Sequence, residues 1–507
     1  MPGNGSAAPT LQIGSRGDDV RRLQELLKGQ GYYSRPVTGA FGANTYAAVV
    51  KFQEAHGLPA NGVVGTATWE ALGLPSSAPG SASVESDWTL MIYMAGNNNL
   101  SSAAGSDIEE IRRVTSLGKL RIVAFVKRRE RAGTAQHMEL TPGGANDIVE
   151  ELGDVDSGDP QTVLNFVRWA TNRAPARKYA LILWNHGGGW EPDDLDQIYS
   201  QVRQVRREAV RSDTEETDIS VPTRPELDAL LRAGPGSSKT VFLTSWIPVL
   251  RLNTMAERAI ANDDGSLHSI DTIELENLAR GIRDHLGRRL DLLGMDACLM
   301  SNLEVAYQVR DYVDVIVGSE ETEPGSGWPY TEILEALAAE STMNSRNLGR
   351  TIVDCYINSY RGTGARVTQC ALDATLITNF MGRFDALAIT LRRQLTTDES
   401  VVDSAYTHAV KFRTDVSLID IRTFCLLLAN NARTQESVIM AANQILAAHT
   451  PGGFVIRENH QGYAATENCG GVSVYYPTRS VSQFYRDLAI AKDSQWDDFL
   501  ADARNSS

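Results

Sequence analysis

From residue 88 onward, short apolar runs alternate with stretches whose apolar positions recur every three or four residues. Thr89–Ala95, Leu120–Val126, Tyr179–Trp184, Leu290–Met295 and Val313–Val317 are the runs, and each has the length and composition of a strand. Strands separated by amphipathic helices predict an α/β fold, with a mainly parallel sheet covered by helices. Residues 381–507 continue with amphipathic helical patterns and a further strand-like run, Gly470–Pro477.

The first 74 residues have a different rhythm. Val20, Leu23, Leu26 and Leu27 form one helical stripe, Asn44 or Thr45 is placed to cap a second helix carrying Val49 and Phe52, and Thr66 opens a third through Trp69 and Leu72. Glycines 31, 39, 42, 57, 62 and 65 punctuate the turns. Pro75–Ser83 has the composition of a flexible linker. The expected organisation is a small three-helix module over 8–74, a linker over 75–87, and a large region over 88–507. A chain of 507 residues is long enough for two or three folding units.

The alternation breaks between Trp190 and about Ala261. Glu191–Asp196 is acidic, Arg203–Arg211 basic, and Ser212–Asp218 acidic again, as solvated segments are. Lys239–Leu250, inside the same insertion, is too apolar for an ordinary loop.

A formal net charge of −15 argues against a nucleic-acid partner and favours basic substrates. No apolar run approaches the roughly 20 residues of a membrane span, and the first residues lack the charged start and apolar core of a secretory signal. Five cysteines without a Cys-x-x-Cys pair suit neither a disulfide framework nor a zinc site, so no metal ligands are assigned.

Two strand ends carry the candidate chemistry. Tyr179–Trp184 runs into Asn185-His186-Gly187-Gly188-Gly189-Trp190, and Leu290–Met295 runs into Asp296-Ala297-Cys298-Leu299-Met300. In an α/β sheet, ligands bind beyond the carboxyl ends of the parallel strands. A thiolate that attacks a carbonyl needs a nearby group to accept and return a proton, and histidine does both near neutral pH. Taken singly, such a Cys is an ordinary core residue and such a His a turn residue. The wording around both, in the order His then Cys, resembles the motifs of the clostripain-like cysteine peptidases of the caspase-like clan. The stretch Val317–Tyr330 resembles that family's segment after the nucleophile strand, and Gly470–Pro477 its closing strand.

The resemblance implies a cysteine endopeptidase. Cys298 would be the nucleophile and His186 its proton carrier, with the backbone N–H groups of Gly187 and Cys298 as the oxyanion donors. It implies cleavage after arginine and sometimes lysine, with the preference between them left open, through an acidic pocket to which Asp296 contributes; Glu320, Glu321 and Glu323 are nearby acids that could add negative potential. The family carries its processing region between the catalytic His and Cys. That makes Arg203, Arg206, Arg207, Arg211 and Arg224 candidate self-cleavage sites, against the alternative of an uncut solvated helix. Family members are also linked to calcium. Asn262–Ser266 offers oxygen ligands and a Gly turn, although without the spacing of an EF-hand loop.

Leu11–Leu27, Gly39–Gly42 and Ala48–Gln53 closely resemble the three-helix peptidoglycan-binding module of cell-wall enzymes, which implies peptidoglycan as a partner and the cell envelope as an address. Similar modules also serve as plain interaction or prodomain units. A serine hydrolase of the His-Gly-Gly-Gly type would need Gly-x-Ser-x-Gly and a zinc protease His-Glu-x-x-His; neither occurs. The remaining alternative is a noncatalytic wall-binding or scaffold protein with a degenerate caspase-like domain. The free cysteines suit a reducing compartment, at odds with an envelope address.

Overall fold

The computed structural model describes residues 11, 15, 17–56, 58, 62–72, 86–129, 134–144, 147–190, 260–263, 268–412, 417–449, 453–464, 469–478 and 481–505. The chain divides into two compact units, residues 1–83 and 84–507. The candidate processing arginines and the apolar run 239–250 lie outside the described residues.

In the first unit, helices α1 (Asp18–Gly29), α2 (Ala43–Ala55) and α3 (Thr66–Ala71) enclose a core that includes Val20, Leu23, Leu27, Val49, Phe52 and Trp69. Gln24 ties the module together from inside. Its Nε2 donates to Thr45 Oγ1 at 2.9 Å and to Ala40 O at 3.0 Å, while its Oε1 accepts from Thr38 N and Gly39 N. The expected cap at Asn44 or Thr45 is therefore corrected. Helix α2 starts at Ala43 after Gly42 with no side-chain cap, because the Thr45 hydroxyl is turned inward to serve the buried glutamine.

The second unit is built on a nine-stranded sheet. Its strands are β1 (Ser86–Gly96), β2 (Leu120–Arg128), β3 (Thr134–Leu140), β4 (Ile148–Asp154), β5 (Ala176–Trp184), β8 (Leu290–Asp296), β9 (Val313–Gly318), β10 (Val367–Asp373) and β13 (Val455–Gln461). They lie in the order β13-β10-β9-β8-β5-β1-β2-β3-β4. The five strands expected from the apolar runs form its parallel centre, β9-β8-β5-β1-β2. The two flanks, β10-β13 and β3-β4, are antiparallel additions. A two-stranded ribbon, β6 (Ile260–Asp263) with β7 (His268–Ile270), follows the insertion. A small antiparallel sheet joins β11 (Lys411–Phe412), β12 (Leu418–Asp420) and β14 (Ser473–Tyr475). The run 470–477 thus closes this small sheet rather than the large one.

Helices cover both faces of the large sheet, as period-2 alternation of buried residues requires. On β1, Met91, Tyr93 and Ala95 face one core, and Leu90, Ile92 and Met94 the other. The second face is covered by α4 (Ser101–Arg113), α8 (Tyr330–Ala339) and α9 (Ser345–Ser359). The first is covered by α5 (Pro160–Arg173), α6 (Thr272–Leu286) and α7 (Leu303–Val309), joined by the C-terminal helices α10 (Ile377–His408), α11 (Ile421–Asn430) and α12 (Glu436–Ala448). Local signals agree with these boundaries. Asp159 caps α5 ahead of Pro160, Asp271 and Glu274 form a capping box on α6, and α6 ends at Gly287 in the left-handed region (φ 67°).

Candidate active site

Four parallel strands end at one edge, and their next residues form the site: Asn97–Asn99 after β1, Asn185–Gly187 after β5, Ala297 and Cys298 after β8, and Ser319–Glu323 after β9. His186 and Cys298 therefore leave adjacent strands, with Trp184 paired to Asp296 in the register just before them.

The His186 segment is anchored by asparagines. Asn185 is buried, and its Nδ2 donates to Ala95 O at 2.6 Å. Its Oδ1 accepts from Asn98 Nδ2 at 2.9 Å and from His186 N. Asn99 Oδ1 meets His186 Nε2 at 2.6 Å. An amide oxygen only accepts, so Nε2 carries a proton and the lone pair of the neutral ring is on Nδ1. Asn99 had no place in the reading of the sequence. The run of three asparagines directly after an apolar strand was the available signal.

Gly187 fits against the backbone of Cys298. A Cβ there would lie 2.1 Å from Cys298 O and 3.0 Å from Cys298 N, so only glycine is accommodated. Leu299, just after Cys298, is fully buried in the left-handed region (φ 64°), which L-residues seldom occupy. The surroundings fix that turn. Leu299 N donates to Glu321 O, Asn302 Nδ2 to Leu299 O at 2.9 Å, and Ser301 N to Ser319 O at 2.8 Å. Asn302 Oδ1 also caps α7 through Val305 N. From the C-terminal part of the chain, Ser473 N donates to Ser301 O at 3.0 Å, and Ser301 Oγ donates to Gly471 O at 2.6 Å.

The Cys298 thiol is half-buried. Its Sγ accepts from Glu323 N at 3.2 Å and faces Glu323 O at 3.9 Å. Burial pushes its pKa up to about 11, with the Glu323 carboxyl adding to the rise; the N–H groups of Glu323, Cys298 and Gly187 pull the other way. Near neutral pH the sulfur is held as a thiol.

Beside it lies a cluster of acids hydrogen-bonded among aromatic side chains. Asp296, 4% exposed, accepts from Tyr330 Oη at 2.9 Å and from Trp328 N at 3.3 Å, and shares a hydrogen bond with the Glu323 carboxyl. Two hydrogen-bonded carboxyls require a proton between them. Burial, then the Asp296 charge, holds Glu323 well above the usual carboxylate range, so Glu323 keeps that proton. Behind them, Asp107 of α4 accepts from Trp184 Nε1 at 2.7 Å. Burial and the nearby Asp296 push its pKa up to about 8.

Of the three acids noted in the third motif, only Glu323 reaches Asp296 and Cys298. Glu320 is buried against Asp420 and accepts from Gly471 N, and Glu321 accepts from Tyr463 Oη at 2.9 Å. Among the described residues, no group of three acidic, His or Cys side chains is disposed to hold a metal ion. The suggested calcium segment 262–266 lies largely outside them. The described residues show no calcium cradle.

The clostripain family profile matches residues 92–219 and 246–502, more than half of the chain, and a peptidoglycan-binding domain profile matches residues 16–72. Clostripain of Hathewaya histolytica is 26% identical over 289 residues, covering 51% of this chain and 44% of that protein; the chain thus spans less than half of its curated relative. The spore cortex-lytic enzyme of Bacillus cereus is 45% identical over 62 residues, 12% of this chain and 24% of that enzyme. Among solved structures, the secreted C11 cysteine protease "iotapain" of Bacteroides thetaiotaomicron aligns with a TM-score of 0.54 at 17% identity, over 81% of this chain and 99% of that one. An inactive zymogen C11 protease of Parabacteroides distasonis aligns at 0.52 and 19%, over 81% and 98%. At these identities the two structures attest the shared fold. The extent of the family match, with His186 and Cys298 brought to one sheet edge, shows that the chain belongs to the clostripain family and carries a peptidoglycan-binding domain ahead of the peptidase region.

Proposed function

We propose that the protein is a cysteine endopeptidase that cleaves after basic residues, arginine first. The observation that carries this reading is the Cys298 thiol at one strand end, flanked by His186 on the next strand and by the Asp296–Glu323 carboxyl pair.

His186 Nδ1 takes the Cys298 proton, and the sulfur attacks the carbonyl carbon of the scissile peptide. The Gly187 and Cys298 N–H groups receive the developing oxyanion. His186 then returns the proton to the leaving amine as the C–N bond breaks, leaving a thioester on Cys298. Water, deprotonated by His186, attacks the thioester, and the departing sulfur recovers a proton. A cationic side chain entering beside Asp296 displaces the proton held by Glu323, so the pocket gains negative charge as the substrate binds. The reading extends to self-cleavage within 191–261 and to peptidoglycan binding through residues 16–72, which would address the enzyme to the cell envelope.

Fluorogenic peptides with Arg, Lys, Asp or Ala before the scissile bond test the assignment. Wild type should cleave after Arg and Lys. Cys298→Ala should lose at least about 1,000-fold in kcat/KM and His186→Ala at least about 100-fold, each with an unchanged melting temperature. A folded variant with full activity overturns the assignment. On a gel, fragments split within 191–261 in wild type and absent in Cys298→Ala would support self-processing.

A further inference from the structure

Strand β10 brings one more side chain to the acid cluster. Gln369 is fully buried, and its Nε2 donates to Glu323 Oε1 at 3.4 Å, the same oxygen that Trp328 Nε1 approaches at 3.5 Å. That donor role sets the amide's orientation and leaves Gln369 Oε1 as its other end. Gln369 Oε1, sealed from solvent, has no hydrogen-bond partner. The hydroxyl of Tyr356, a residue of α9 with no solvent exposure, is in the same condition. Helix α9 packs directly against β10.

Buried polar atoms without partners are rare, and their desolvation is recovered only when a partner arrives. Here Glu323 and Asp296 account for the charge of a cationic ligand. Neither discriminates arginine from lysine by charge, because both substrates carry one positive charge. A neutral acceptor beside them does discriminate. A guanidinium presents five N–H donors in a planar fork, enough to meet a carboxylate and an amide oxygen together, whereas an ammonium is a compact point charge with three.

We propose that Gln369 is a specificity-determining residue: its Oε1, beside Glu323, accepts a guanidinium N–H of the arginine before the scissile bond and so favours arginine over lysine. This rests on the reading of Asp296 and Glu323 as a basic-residue pocket.

The test uses the full chain and two peptides that differ only in Arg or Lys before the cleaved bond. Gln369→Met keeps the side chain's length and removes the acceptor; Gln369→Asn keeps an amide but withdraws it by one methylene. Each should lower kcat/KM for the Arg peptide about tenfold, the size of one lost hydrogen bond to a charged group, and that for the Lys peptide less than about twofold. Gln369→Glu keeps an acceptor and should retain the parent Arg preference. Equal losses on both peptides, or an unchanged Arg-to-Lys ratio in both folded variants, overturn the proposal and leave the basic pocket standing. A wild type that cleaves after neither residue overturns the pocket reading itself, and this proposal with it.

Discussion

Asn99 is the residue whose importance follows most directly from a contact. Its Oδ1 holds His186 Nε2 at 2.6 Å, and the adjacent Asn98 fixes the same loop to Asn185 and Ala95. Losing that acceptor frees the imidazole to rotate and to change tautomer. Asn99→Ala should therefore lower kcat about tenfold or more with little change in KM. Asn99→Asp places a carboxylate on the ring, stabilises the imidazolium, and should move the acid limb of the kcat/KM profile to higher pH. Parent-like kinetics and pH profile in both variants would remove Asn99 from the mechanism. At this scale the sequence was legible where motifs were dense. His186, Gly187, Asp296 and Cys298 all reach the site, because each directly follows or ends an apolar strand. Asn99 and Gln369 were not legible, since nothing in spacing tells which turn asparagine meets the histidine, or that a glutamine within β10 faces Glu323.

Elements show the same division. The central strands are buried on both faces and read as unbroken apolar runs. Strand β4, Ile-Val-Glu-Glu-Leu-Gly-Asp, is mostly exposed, and β13 has two apolar residues followed by five polar ones, so neither carries a periodic signal. Strand β10 is fully buried yet contains Thr368 and Gln369, which serve the Ser319–Glu323 segment. The attachment of α4 to the sheet carries a pH dependence. Asp107, 3% exposed, joins α4 to β5 through Trp184, and its folded pKa of about 8 lies far above the ordinary carboxylate value. The folded state therefore binds more protons than the unfolded state between about pH 4 and 8. The stability Asp107 contributes is full below that window and is lost as pH rises through it. Asp107→Asn preserves an acceptor for the indole and cannot ionise. It should raise the melting temperature at pH 8 relative to wild type and leave it nearly unchanged at pH 4; equal shifts at both pH values would contradict this.

At the scale of the whole molecule, the chain forms two units with separate cores, and under the proposed function the first binds the wall while the second cuts peptide bonds. A chain lacking residues 1–83 should hydrolyse small peptides with kcat/KM within about twofold of the full chain, because His186, Cys298, Asp296 and Glu323 all belong to the second unit. It should fail to co-sediment with purified peptidoglycan, which the full chain should do. Co-sedimentation of both would move wall binding to the peptidase region. The turn after Cys298 draws on a third part of the chain: Ser301 O accepts from Ser473 N, and Ser301 Oγ donates to Gly471 O. During synthesis, His186 and Cys298 leave the ribosome more than 170 residues before the strand that completes this turn. The strained Leu299 has no full set of restraints until then, so the turn after Cys298 settles only once a segment far along the chain has emerged and paired with it.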